Sequence, residues 1–162
     1  MSDQNYSPGY LDLLNDALAR ELHVSIQYML QHAAETGYTP TDSGKTLQAR
    51  QSRFITVDSL FWPPGPSLKK IAISEMKHAE AIAERIVVLG GQPTTDPGTV
   101  SIGNTAAGML ENDREQELEA IELYGRIIEA AGTEGDQLTE NLFRRILSDE
   151  EKHYRIFSDL LE

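Results

Sequence analysis

Two segments of the chain set an acid and an imidazole three positions apart inside apolar helical patterns. They are Glu75 and His78 in ISEMKHAEAI, and Glu150 and His153 in RILSDEEKHYRIF. In a helix, side chains at i and i+3 lie on one face, so each pair projects together. The face shared by Glu75 and His78 also carries Ile71 and Ile82; that of Glu150 and His153 carries Phe143, Ile146, Leu147 and Phe157. A carboxylate on a buried face is costly unless something neutralises it, and a metal ion is one such partner. Two further glutamates occupy equivalent settings. Glu21 shares its face with Leu14, Leu18 and Tyr28, and Glu117 with Leu110, Ile121, Tyr124 and Ile128. All four acids stand where binary patterning calls for an aliphatic residue.

The order of these residues repeats. A segment with one inner glutamate (Glu21, then Glu117) is followed each time by a segment with Glu-x-x-His. The spacing is 54 residues in the first half and 33 in the second, so the first half carries an insertion. Four carboxylates and two imidazoles are hard and borderline donors suited to iron or manganese, and two ions are needed to use them all. One Glu-x-x-His would mean little in a chain so rich in glutamate. Two of them, each on a separate apolar face and each preceded by an inner glutamate, are hard to explain as packing.

Other residues are less telling. Tyr28 is placed to hydrogen-bond a ligand carboxylate or donate an electron, although tyrosines on bundle faces usually serve as core. His23 and His32 read as surface or helix-end histidines. Trp62 reads as packing, and Glu111, Glu115, Glu119 and Glu122 as a solvated face.

The elements that must position the donors are helices. Apolar residues at Leu11, Leu14, Leu18, Leu22, Ile26, Met29 and Ala33 predict a long amphipathic helix from Leu11 to about Glu35. TGYTPTDSG (36–44) turns the chain, a weakly patterned short helix is expected over 45–58, and FWPPGP (61–66) stops any helix before Ser67 as N-cap. A second helix runs from about Leu68 to Leu89 and stops at GGQP. The stretch 94–106 reads as a connection along the molecule. A third helix is expected over about Ala106–Ala131, GTEGD (132–136) as the next turn, and a fourth from about Gln137 to the end. The expected class is all-α: a four-helix bundle with a long crossover between its second and third members, in one domain over 1–162 with an insertion at about 40–66.

Composition narrows the chemistry. The chain has 162 residues and no cysteine, which removes disulfides, thiolate metal sites and cysteine nucleophiles. With 26 acidic against 14 basic residues the formal charge is −12, a balance that repels nucleic acid and anionic membranes and favours cations. Residues 1–44 hold no lysine and one arginine, Arg20, so protection of DNA by a basic arm is not expected. No run of about 18 apolar residues occurs, and a soluble, cytoplasmic protein is expected.

The segments ELHVSIQY, ISEMKHAEAIAERIVVLGG, MLENDREQELEAI and RILSDEEKHYRIF resemble the ferritin-like superfamily, bacterioferritin most closely. The likeness covers most of the chain outside about 40–66. It implies a di-iron centre on Glu21, Glu75, His78, Glu117, Glu150 and His153. Glu75 and Glu150 would bridge the ions, Glu21 with His78 completing one and Glu117 with His153 the other. It also implies oxidation of Fe(II) by dioxygen or peroxide, iron storage in a 24-subunit shell, and haem held between two subunits by a methionine at the position of Met76.

Three departures qualify the resemblance. The chain continues nine residues past His153, with no fifth helix expected. The insertion falls near the subunit edge, and Lys70 and Ser74 stand where bacterioferritin has an inner-surface iron-binding histidine and aspartate. A dimer or a twelve-subunit shell therefore stands beside the larger shell. Competing readings are a peroxidase of the rubrerythrin kind, whose usual rubredoxin-like module needs cysteines, another di-iron or manganese–iron oxidase, and a non-catalytic metal clamp. A partner-binding module built on FWPPGP is a further alternative.

Overall fold

The structure, a computed structural model, describes residues 6–35, 68–103 and 105–162. The insertion at about 40–66, with the expected helix over 45–58, Trp62, FWPPGP and the Ser67 cap, lies outside the described residues. The described chain forms α1 (Pro8–Glu35), α2 (Leu68–Val88), α3 (Ala106–Glu134) and α4 (Gln137–Asp159), with no strand among the described residues. No helix among them is long and apolar enough to cross a membrane.

The second and fourth helices stop slightly short of expectation, at Val88 and Asp159, and two other ends differ by three residues. Pro8 opens α1 three residues before Leu11, because a proline in the first helical turn forfeits a donor that would be unpaired anyway. The third helix runs past Gly132 to Glu134. Gly135, at φ 70°, supplies the left-handed cap, and its N–H returns to the carbonyls of Ala131 and Gly132. Asp136 then caps α4 by accepting from the Thr139 N–H, while Thr105 caps α3 through Gly108.

Contacts at the helix ends fix the topology. The start of α1 meets the ends of α2 and α3: a Cβ on Gly91 would lie 3.2 Å from Leu11 Cδ2, and the Ser7 N–H donates to Glu134 Oε1 at 3.2 Å. Arg85, near the end of α2, reaches Thr139 at the start of α4. Thus α1 and α4 run up, and α2 and α3 run down. The crossover 89–105 must climb the full bundle, and on the way the Pro97 carbonyl meets His23 Nδ1 at 3.1 Å. The most extensive packing joins α1 to α2 and α3 to α4.

The apolar interior divides into two clusters. The lower one includes Leu14, Leu18, Ile82, Ile86, Tyr124, Ile127, Phe143 and Ile146; the upper one Val24, Tyr28, Ile71, Leu110 and Phe157. Glu21, Glu75, His78, Glu117, Glu150 and His153 are buried in the same bundle, at sequence positions between the two clusters on each helix. The apolar stripe expected along α1 does not stay inside. Its upper half turns outward, leaving Ile26 and Met29 exposed, while Gln27, Tyr28 and Gln31 are buried in their place. Outward Ile26, Met29 and Leu30 join Ile73 and Met76 of α2 around an apolar groove of about 900 Å³.

Candidate metal centre

The six residues converge. Their donor atoms form two groups, Glu21–Glu75–His78–Glu150 and Glu75–Glu117–Glu150–His153, in each of which the atoms lie within 4.8 Å of one another. Glu75 and Glu150 belong to both. The reason is visible atom by atom. Glu75 turns Oε2 to His78 Nδ1 (3.0 Å) and Oε1 to His153 Nδ1 (2.8 Å). Glu150 turns Oε1 to His78 Nδ1 (2.9 Å) and Oε2 to His153 Nδ1 (3.1 Å). Each of the two middle acids therefore spans both imidazoles, whose ring centres are 6.4 Å apart. Glu21 approaches His78 alone, at 3.6 Å.

Tyrosines hold the outer acids. The Tyr124 hydroxyl of α3 donates to Glu21 of α1, and the Tyr28 hydroxyl of α1 donates to Glu117 of α3. These crossed bonds orient each outer glutamate from the opposite helix. Phe143 packs on the Tyr124 ring and Phe157 on the Tyr28 ring.

The buried acids and imidazoles shift one another's affinity for protons. Burial would depress His78 and His153, but the carboxylates around them prevail. Glu150, Glu21 and Glu75 drive His78 far above the usual histidine range, and Glu150 and Glu75 bring His153 to about 10. Burial and the Glu150 charge push Glu117 up to about 8 against the pull of Arg20. Burial also raises Glu75, aided by the charges of Glu21 and Glu117. Burial works the same way on Glu21, but the nearby His78, with the Arg20 charge, holds it below the usual carboxylate range.

The donors suit a cation better than they suit one another. Glu21 Oε2, Glu75 Oε1, Glu117 Oε2 and Glu150 Oε1 accept no aligned hydrogen bond, one orphan from each of the four acids. Buried polar atoms are ordinarily satisfied, so four carboxylate oxygens in one place that face only imidazoles and a guanidinium, without an aligned hydrogen bond, have the chemistry of a cation site. A pair of divalent cations fits: four carboxylates neutralise their charge, and oxygen with imidazole nitrogen matches iron or manganese.

Several contributors were not legible beforehand. Asp149 Oδ2 lies 3.6 Å from His78 Nε2, on the side of the ring away from the acids. Asp113, fully buried one helical turn before Glu117, accepts from Gln27 Nε2 and Gln31 Nε2 at 2.8 Å each; burial raises it to about 7. Its i−4 spacing from Glu117 was the available signal. His23, read as a surface residue, is part-buried and bonds Gln27 Oε1 at 3.2 Å. Met76 stands outside the cluster, half exposed, in the apolar groove.

Known proteins place this arrangement. The sequence profile of the Ferritin-like domain matches residues 65–162. The bacterioferritin of Desulfovibrio desulfuricans is 34% identical over 151 residues, covering 93% of this chain and 73% of that protein. This chain belongs to the bacterioferritin family. Streptomyces coelicolor bacterioferritin is 33% identical, over 90% of this chain and 75% of its own length. Among solved structures, that of the Desulfovibrio bacterioferritin, described with its diiron site in different catalytic states, superimposes with a TM-score of 0.72 over 94% of this chain and 77% of that one. A ferritin-like, diiron-carboxylate protein from Bacillus anthracis, 26% identical, matches with a TM-score of 0.75 over the whole of both chains. The all-α four-helix bundle is thus the bacterioferritin fold.

Proposed function

We propose that the protein oxidises Fe(II) with dioxygen or hydrogen peroxide at a two-iron site and so removes and stores iron. The supporting observation is the pair of four-residue donor sets that share Glu75 and Glu150. Glu75 and Glu150, common to both sets, would be shared by the two ions, with Glu21 and His78 holding one and Glu117 and His153 the other. Iron bound there supplies the redox chemistry, two Fe(II) giving the two electrons that one peroxide takes up.

The chain's own groups prepare the site. Both histidines offer Nδ1, and on His78 the Asp149 carboxylate stands 3.6 Å from Nε2, where its charge makes the ring a stronger donor. Tyr28 and Tyr124 hold the outer carboxylates in place before metal arrives. Protons on the histidines and on Glu117 must leave as cations load, so loading releases acid. The exposed acids Glu111, Glu115, Glu119 and Glu122, within a net charge of −12, raise the local concentration of cations.

Assembly and haem belong to the same reading. A monomer rarely leaves a groove flanked by Ile26, Met29, Leu30, Ile73 and Met76 open to water. A second copy of the chain covering it would bring two Met76 sulfurs to one apolar interface, the setting that the family resemblance implies for haem. This supports a homo-oligomer of at least a dimer.

The test is an anaerobic titration of the metal-free protein with Fe(II), followed by oxidant while near-ultraviolet absorbance is recorded. Saturation at two irons per chain with rapid oxidation is expected, and turnover well beyond two irons into a soluble ferric product marks storage. Binding without oxidation would replace this reading with a structural clamp. Oxidant consumption that stays catalytic in iron, with no ferric product, would indicate a peroxidase of the rubrerythrin kind.

A further inference from the structure

The two halves of the cluster contain the same donors in different surroundings. On the Glu21 side, His78 Nδ1 faces three carboxylates and its Nε2 a fourth, Asp149. On the Glu117 side, His153 Nδ1 faces two, and a permanent cation stands by. Arg20 of α1 has its side chain nine-tenths buried, and Nε, Nη1 and Nη2 make no hydrogen bond. Nη2 lies 4.0 Å from Glu117 Oε2, itself one of the orphan oxygens. An interior arginine ordinarily commits its fork to a carboxylate in paired hydrogen bonds. Here it stops just short of one.

Arg20 also has somewhere to go. It lines a recess of about 610 Å³ with Glu119, Glu122, Leu123 and Arg126, so two exposed carboxylates stand ready on the outer side. A dication on Glu117 would sit a few ångströms from the guanidinium in a medium where like charges repel far more than in water. On the Glu21 half the ion-pair contact is made by His78, itself one of that half's donors, whereas Arg20 makes its contact with Glu117 and acts on Glu21 only as a more distant charge.

We propose that Arg20 is the counter-ion of the empty Glu117–His153 half-site and moves outward toward Glu119 and Glu122 when a divalent cation loads there, so that the half-sites fill in order, Glu21–His78 first. This rests on the two-metal reading above. Ordered filling makes the second ion the exchangeable one and couples its arrival to a movement at the surface.

Zn(II), which is redox-inert, tests this by calorimetric titration of the metal-free protein. Wild type should bind two ions per chain in two steps, the second about tenfold or more weaker. Arg20→Gln should strengthen the second step to within about threefold of the first, and Arg20→Lys, which keeps the charge, should retain two separated steps. Glu117→Gln should delete the weaker step and leave the tighter one. The surface double variant Glu119→Gln/Glu122→Gln, which leaves the interior untouched, should weaken the second step about threefold. Equal steps in wild type, an Arg20→Gln isotherm unchanged or altered in its first step, or no effect of the double variant would overturn the proposal. A wild type binding fewer than two zinc ions would instead defeat the two-metal reading itself.

Discussion

Two of the polar clusters buried in the bundle are built to opposite specifications. At its lower end Asp136 accepts from the Thr139 N–H (3.1 Å) and Arg85 Nη2 (2.6 Å) on one oxygen, and from Tyr10 and Thr139 hydroxyls (3.1 and 2.5 Å) on the other. Arg85 Nε donates to Thr139 Oγ1 at 2.8 Å. Midway up, four glutamates keep one oxygen each without a hydrogen bond, beside an arginine with three unpaired nitrogens. The first cluster is complete as it stands and ties α1, α2 and α4 to the α3–α4 turn. The second is complete only with something added. Buried polar groups stabilise when every lone pair and proton is matched, and otherwise mark a site where selection favoured binding over stability.

Substitutions should separate these roles. The largest effect is expected from Glu75→Ala, which removes oxygens facing both histidines. Fe(II) oxidation should fall by about two orders of magnitude or more and binding to at most one ion, as read by stopped-flow absorbance and titration. The melting temperature of the metal-free variant should hold or rise, since a buried acid pushed toward its neutral form has gone. A metal-free variant that melts much lower would mean that the central acids are structural after all.

The reverse result is expected at the lower cluster. Asp136→Ala removes an N-cap and the acceptor of a nearly buried ion pair, and should lower stability by about 2–4 kcal/mol in denaturant melts, with metal stoichiometry intact. Its pH signature follows from the sign of the shift. Burial would raise Asp136, but the Thr139 hydrogen bonds and the Arg85 charge hold its carboxyl below the usual range. The contribution is therefore present above an ordinary aspartate pKa of about 4 and lost as pH falls through the lower folded value. Melts of wild type and Asp136→Asn should converge in acid and diverge toward neutrality; a constant gap from pH 2 to 7 would contradict this.

A smaller effect of opposite sign should come from Asp113. Burial brings its folded value to about 7, so the folded metal-free protein holds a proton that the unfolded chain has released. Between about pH 4 and 7 this carboxyl should therefore erode stability as pH rises. Asp113→Asn keeps an acceptor for Gln27 and Gln31, and should stabilise the metal-free protein by about 1–2 kcal/mol at pH 8 and by little at pH 4. The smallest effect belongs to the exposed Arg144–Glu140 pair. At 2.7 Å it is well formed, yet Arg144→Ala should change stability by about 0.5 kcal/mol or less.

Much of this was legible without coordinates. Amphipathic periodicity carried the four helices, because a 3.6-residue repeat of apolar side chains has one stable outcome in water. The six donors were legible as violations of that repeat: an ionisable residue on a buried stripe stands out, and the Glu-x-x-His spacing ties pairs together within one helix. Expectation failed along the upper half of α1. There Ile26 and Met29 continue the apolar pattern but face outward, while Gln27 and Gln31 go inside to serve Asp113. An apolar stripe shows that a face is to be covered, not by what.

The sequence by itself therefore determined the four helices and singled out the six candidate donors, since these follow from local periodicity and from residue types on a single helix. Only the tertiary structure decided that Glu75 and Glu150 each span both histidines, that Tyr28 and Tyr124 cross between helices to hold the outer acids, and that Arg20 comes within ion-pair distance of Glu117. Those facts depend on the relative height and rotation of packed helices. Packing fixes these to within an ångström, and no repeat within one helix encodes them.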